Sequence, residues 1–459
     1  MWTKKELEAA MNIKLPSSSA DIFNQIVIDS RAVKPGDIFI GIKGLKHDGS
    51  EFVSQAIDNG AALCLVHNAT IKDCKIIIFN DTYNDCLIAL AKYNRNFKYK
   101  NSTFIGITGS VGKTTTKEMM YIAFKSFTKT YANAGNLNNL YGLPLSICNI
   151  VPNSDCCIFE LGMSAPGEIE YLSKLLKPHI AIITEIALAH IASFNNLSAI
   201  AEAKSEIING LEEGGTLIIN YDAPYVKHII SKNKYKTMFY SFFNQHADVS
   251  LNHIKAITDG MQVTINIKSQ PSISYNLGTI GDEFVLNSMA VLCALLLYNP
   301  EQITKAMLVF KDFRGLKGRG KIIDYKIIQL MDDSYNANPT SMVMALKRLE
   351  KTSSTGRKIV ILGDMLELGN DAIKMHQHLI DIINQSKFDK IFCVGKLMYQ
   401  LFNLINTLQQ GVWTRTADEM AHCILEHLQP NDMILIKGSN GMQMSKICDV
   451  IAVNFSDKF

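Results

Sequence analysis

The chain has 459 residues, 47% of them hydrophobic and 19% charged, with a formal net charge of +3. That length exceeds one ordinary core and implies roughly two to four domains, and the near-balanced charge, without a basic run interleaved with aromatics, excludes nucleic acid as a partner. No run approaches about 18 apolar residues, so no membrane span is expected; the N-terminal "MWTKKELEAAMNIKL" lacks a leader's apolar stretch, and ten cysteines without paired C-x-x-C spacing read as thiols of a reducing cytoplasm.

Residues 1–98 hold short strands, "DIFIGIKG", "AALCLVH" and "KIIIF", among helical stretches. From about 101 apolar runs alternate with helix-period segments: "FIGIT", a helix over Lys113–Phe127, "CCIFELG", a helix after Gly167, and "HIAIIT". Such alternation predicts βαβ units and a parallel sheet. A β-rich stretch (217–280) and the helix "VLNSMAVLCALLL" follow, and after "FRGLKGRG" a second βα series begins with "KIIQLMDDS", a helix from 339, "KIVILGD", a helix from 371, "KIFCVG" and "MILIKGS". The expected fold class is α/β in three domains, 1–98, 99–312 and 313–459, the middle one built on a parallel sheet with a phosphate loop and the last Rossmann-like.

The loop is "FIGITGSVGKTTTKEMM", residues 104–120. The common G-x-x-x-x-G-K-[ST] pattern would put its first glycine at Ile107, so the local spacing here is T-G-x-x-G-K-T. A strand still runs into glycines and then a helix, whose first N–H groups and dipole favour phosphate. Gly109 and Gly112 let the backbone approach an anion, Lys113 can reach terminal phosphates, and the Thr114 hydroxyl can join a Mg²⁺ shell. The bland alternative is an incidental strand–helix turn. One βα unit later, Glu160 ends "CCIFE" at the carboxyl edge of the sheet, where it is either a solvated edge acid or a Mg²⁺ ligand. In "LSAIAEAKSEIINGL", Ile200, Ala201, Ile207 and Ile208 flank Lys204 at helical spacing. A lysine so placed snorkels, pairs with an acid, or is partly neutralised by desolvation, and a neutral amine can add CO₂ to become an anionic carbamate. His190 follows "HIAIIT"; a lone histidine is more often buried and satisfied than a ligand.

Taken together these stretches resemble the Mur ligases, ATP-dependent amide-forming enzymes of peptidoglycan precursor synthesis, in which T-G-x-x-G-K-T is the usual form of the loop. "NAGNLNNLYGLP" (133–144), "DDSYNANPTSM" (332–342), "GDMLELG" (363–369) and "KGSNGMQM" (437–444) resemble the members that add D-alanyl-D-alanine to a UDP-N-acetylmuramoyl-tripeptide. The resemblance implies ATP phosphates on Gly109, Ser110, Val111, Gly112, Lys113, Thr114 and Thr115, with Lys113 on the transferred group. It implies Mg²⁺ on Thr114 and Glu160, a second ion helped by His190, and Lys204 as the family's carbamylated lysine. It further implies Asn287, Arg319, Asp333 and Asn336 near the nucleotide. "IDSRAVKPGDIFIGIKGLKHDGSEF" is similar to the uridine-diphosphate-binding domain, which nominates Ser30, Arg31, His47, Asp48 and Gly49, whereas Pro35 and Gly36 read as a hairpin turn. The chain is expected to be a cytoplasmic monomer.

One departure stands out. In "IGDEFVLNSMAVL" Asp282, Glu283 and Phe284 occupy positions where the family has basic or amide residues, although Asn287 is retained. A carboxylate replacing an imidazole predicts altered nucleotide contacts there. A different Mur-type or folylpolyglutamate synthetase-like ligase is disfavoured by "DSYNANP" and "GDMLELG". A P-loop switch or kinase is disfavoured by the absence of an N-K-x-D base motif.

Overall fold

A computed structural model of the chain describes residues 1–44, 47–68, 73, 75–78, 83–188, 194 and 196–455. They form two compact units: 1–108 with 128–181 and 206–216, and 109–127 with 182–205 and 217 onward. Among the described residues no helix is long and apolar enough to cross a membrane.

In the first unit, Ile26–Val27, Ile38–Ile40, Leu63–Val66 and Ile76–Ile78 lie side by side in that order, all parallel. The central runs are continuously apolar, as strands covered on both faces must be, and Phe39, Cys64 and Val66 pack with Val33, Val53, Ala56 and Ala61. The "KPGD" segment is a turn, with the Asp37 N–H on the Lys34 carbonyl and Gly36 at φ +88°. It is not a hairpin: the strands on either side of it are parallel. The same unit holds the strand Cys156–Glu160 between Thr103–Thr108 and Thr130–Ala132, again all parallel. Parallel pairing brings the carboxyl ends of these strands, and so Thr108 and Glu160, to one sheet edge.

In the second unit the helix Lys113–Lys125 packs on the helix Asp282–Tyr298, with Phe124 and Tyr298 rings 5.2 Å apart. The latter helix starts three residues before the apolar run that announces it. Its first turn carries Asp282 and Glu283, acids that suit the positive end of the helix dipole. The β-rich stretch is a meander of Val249–Ile257, Gly260–Ile267 and Ile273–Leu277, with Lys236–Ser241 joined in parallel.

The C-terminal six-stranded sheet runs in the order Lys321–Asp324, Gln329–Asp333, Met433–Lys437, Lys358–Gly363, Lys390–Val394, Gln410–Thr414, and only the first pair is antiparallel. Alternate side chains point to opposite faces. Val360 and Leu362 join a core with Leu346, Leu349 and Ile383, while Ile359 and Ile361 join another with Met420, Ile447 and Ile451. A sheet with both faces covered brings its motif-bearing loops to the carboxyl ends of its strands.

Candidate active site

The phosphate loop has left-handed glycines at both turns, Gly109 at φ +147° and Gly112 at φ +91°. A Cβ on Gly112 would lie 2.7 Å from Asn287 Oδ1, so the close approach of the neighbouring helix demands glycine as much as the dihedral does. Asn287 Oδ1 also accepts from Thr116 Oγ1 at 3.2 Å, which places Asn287 behind the loop as its support. From the other side the segment after Ile183 braces it. Thr184 Oγ1 donates to the Val111 carbonyl at 2.7 Å, the Ser110 N–H donates to the Glu185 carbonyl at 2.7 Å, and Ser110 Oγ donates to the Ala187 carbonyl at 2.8 Å. Lys113 starts the helix and its Nζ donates to the Gly109 carbonyl at 2.7 Å. The result is a braced turn with an ammonium at a helix N-terminus, a setting that favours anions in general. Burial pushes the Glu185 carboxyl up to about 7, opposed by a hydrogen bond from the Ile186 N–H and reinforced by Asp222.

Glu160, 2% exposed, is fixed within the first unit: its N–H donates to Asn133 Oδ1 at 2.9 Å and its Oε1 accepts from Asn138 Nδ2 at 2.8 Å. Both asparagines come from "NAGNLNNLYGLP", which explains that motif as the mount of the acid. Lys204, in the helix Leu197–Ser205, is 2% exposed, and Ile200 and Ala201 of the same helix are buried too. A snorkelling amine is therefore ruled out. His190 lies outside the described residues.

The uridine-directed residues follow two adjacent parallel strands of the small sheet. Ser30 is buried and donates to Gln55 Oε1 at 2.6 Å. Exposed Arg31 pairs with Asp29 at 2.7 Å. Asp48 Oδ1 caps the Ser50 N–H at 2.9 Å, the His47 carbonyl accepts from Gly44, and the Gly49 N–H returns to Ile42. The structure thus brings both nominated stretches to the carboxyl edge of one sheet.

In the C-terminal sheet three motifs meet. Asp333 ends its strand 3.0 Å from Lys437 Nζ and 3.3 Å from Arg348 Nη2, and Lys437 also donates to the Asn336 carbonyl at 2.9 Å. Asn336 Oδ1 accepts from the Ala337 N–H at 2.9 Å, and the Arg319 guanidinium lies 3.9 Å from the centre of the Tyr335 ring. Beside them Lys317, Gly318, Ser334, Tyr335, Asn440 and Gln443 line a cleft of about 260 Å³. "GDMLELG" is held from behind by His376, fully buried, whose Nε2 accepts from the Met365 N–H at 2.9 Å. Glu283, the departing acid, does not stand unpartnered: its Oε1 accepts from Arg348 Nη1 at 2.7 Å. Thr184, Asn133, Asn138, Arg348 and Lys437 are the supports that motif reading left without a role.

Three family models match the chain: the Mur ligase family catalytic domain over 23–100, the Mur ligase middle domain over 107–295, and the Mur ligase glutamate ligase domain over 318–440. A UDP-N-acetylmuramoyl-tripeptide–D-alanyl-D-alanine ligase of Rickettsia prowazekii is 34% identical, covering 98% of this chain and 99% of that one. The chain belongs to the Mur ligase family. A Bacillus subtilis protein of the same name is 32% identical over 94% of each chain. The solved MurF from Acinetobacter baumannii superposes with a TM-score of 0.85 at 28% identity, covering 98% of both chains. The Mur ligase architecture of three α/β domains is thus the fold of this chain.

Proposed function

We propose that this chain is an ATP-dependent ligase joining D-alanyl-D-alanine to a UDP-N-acetylmuramoyl-tripeptide to give the pentapeptide precursor of peptidoglycan. The observation that carries the reading is the end-to-end likeness to ligases of that name, supported by a glycine turn that leads into a helix beginning with Lys113. A carboxylate oxygen of the tripeptide attacks the terminal phosphorus of ATP; the new O–P bond replaces the one to ADP, which leaves. The dipeptide amine then attacks the acyl carbon, loses a proton, and phosphate departs from the tetrahedral intermediate.

Gly109 to Thr115 cradle the phosphates on this reading, and Lys113 follows the transferred group. Arg319, Asp333 and Asn336, with Asn287 behind the loop, serve the nucleoside end. Ser30, Arg31, His47, Asp48 and Gly49 hold the uridine diphosphate. The oxygen donors Thr114 and Glu160 are of the kind Mg²⁺ prefers, and His190 keeps the role the resemblance gives it. Magnesium, when bound, neutralises charge on the phosphoryl group. Buried Lys204 is the residue that the resemblance makes a carbamate, an anionic oxygen donor in place of the amine. The three domains divide near 98 and 312, and the enzyme works as a cytoplasmic monomer.

The test is product analysis with a panel of UDP-muramoyl peptides bearing lysine or meso-diaminopimelate. ATP turns over only when tripeptide and D-alanyl-D-alanine are both present, and ADP and phosphate appear in equal amounts. AMP as the stoichiometric product, or equal turnover with free D-alanine, rules the reading out.

A further inference from the structure

The first turn of the helix Asp282–Tyr298 meets the last turn of the helix Pro339–Lys351 through two ion pairs. Asp282 takes Lys351 at 2.8 Å, with side chains 49% and 54% exposed. Such a pair contributes little. Glu283 takes Arg348 at 2.7 Å, with side chains 17% and 3% exposed, and there the surroundings differ. The Arg348 Nε faces Met331 Sδ at 3.1 Å, its guanidinium carbon lies 5.4 Å from the Phe284 ring, and a Cβ on Gly320 would run into Nη1. Its second acid is Asp333, through Nη2 at 3.3 Å. One enclosed guanidinium therefore bridges two carboxylates carried by different helical and strand elements.

The two acids are not equivalent. Burial raises the Glu283 carboxyl above its ordinary value and Arg348 opposes this without cancelling it. Burial acts on Asp333 in the same direction, but Lys437 and Arg348 more than offset it and hold that carboxyl below the usual range. Both cations act on the same oxygen of Asp333, Oδ2. The Arg348 contact at 3.3 Å is an ion pair without a hydrogen bond, so its hold on Asp333 is electrostatic and depends on where Glu283 keeps the guanidinium.

We propose that Arg348, anchored by Glu283, is a positioning residue that sets the orientation of Asp333 for the nucleotide ribose. The inference rests on the ligase reading above, which puts Asp333 beside the nucleotide. The acid at position 283 is then neither a lost ligand nor a nucleotide contact; it is the anchor of the arginine that holds the ligand. A purely mechanical brace would be served as well by apolar side chains, since a buried ion pair about breaks even against them. An apolar pair could not orient Asp333.

Direct ADP binding by titration calorimetry, thermal midpoints, and steady-state KM for ATP against kcat test this on the full chain. Arg348→Lys keeps the charge and loses one arm of the fork. It is expected to weaken ADP binding and raise the ATP KM on the order of tenfold, with kcat within about twofold of the parent. Glu283→Gln/Arg348→Met is expected to regain the thermal midpoint that Arg348→Met alone loses, while ADP binding stays weak. Asp282→Asn, one residue away on the exposed pair, leaves both unchanged. Wild-type ADP affinity in Arg348→Lys, or joint recovery of stability and ADP affinity in the double variant, overturns the positioning role alone. A parent chain that binds no ADP overturns the ligase reading and this inference with it.

Discussion

Lys113 begins the helix fed by the glycine turn, and its amine returns to the Gly109 carbonyl. Lys113→Ala is expected to lose on the order of 10³-fold or more in turnover, since a cation directed at the transferred phosphoryl group is removed. A folded variant with near-parental kcat contradicts that role. Lys204→Ala is expected to be nearly inactive and partly rescued by short carboxylates, and ¹³C-bicarbonate is expected to give a carbamate carbon signal that this variant lacks. Full activity of Lys204→Arg, which cannot form a carbamate, argues against it. Glu185 supplies a pH dependence. Its folded value of about 7 lies above the ordinary 4.5, so the folded chain binds more protons and stability falls as pH rises between those values. Glu185→Gln is therefore expected to be the more stable form above pH 7, by up to about 3 kcal/mol, with the advantage vanishing toward pH 4.5; urea melts across that range check the sign. The loop's spacing made Lys113 legible from sequence. Glu185 and Thr184 were not, because a backbone carbonyl of one and the hydroxyl of the other meet the loop from far along the chain, 73 residues away in the Thr184–Val111 bond.

Elements with long apolar runs, such as Cys156–Glu160, Lys358–Gly363 and Met433–Lys437, were readable because burial on both faces confines their charged residues to the strand ends. The strands Lys321–Asp324 and Gln410–Thr414 were not: both sit at sheet edges, with no residue fully buried, so their sequences keep polar character. The helix carrying Arg348 was readable, but "LKRLEK" looks like an ordinary basic helix end, and nothing local shows that one of its cations is 3% exposed. At this scale the segment after Ile183 should matter to the loop it braces. Thr184→Val removes the shorter of two donors to the Val111 carbonyl and leaves only the Glu185 N–H at 3.5 Å; it is expected to cost about 1 kcal/mol of stability and to raise the ATP KM several-fold. Parental ATP KM in that variant shows the brace to be dispensable.

Over the whole molecule, motifs scattered from Ser30 to Met444 proved to belong to a few sheet edges, and that scattering is why they were legible as a set: each marks a strand end in a parallel sheet. The C-terminal cleft was not legible, since its lining comes from 317–318, 334–335 and 440–445 and exists only once those strands are ordered. ADP is expected to raise the thermal midpoint of the full chain, the increment corresponding to about 2.7 kcal/mol at a hundredfold excess over Kd, and Lys113→Ala is expected to lose most of it. Gly320 carries a different kind of consequence. It stands at φ +81°, and a side chain there would collide with Arg348, whose guanidinium in turn needs Glu283. Three residues spread over 66 positions therefore depend on one another. A lineage that replaced any of them first would pass through a less fit intermediate, so they are expected to change together or not at all, and a combinatorial library at 283, 320 and 348 should show strong epistasis among them and near-additivity with Asp282.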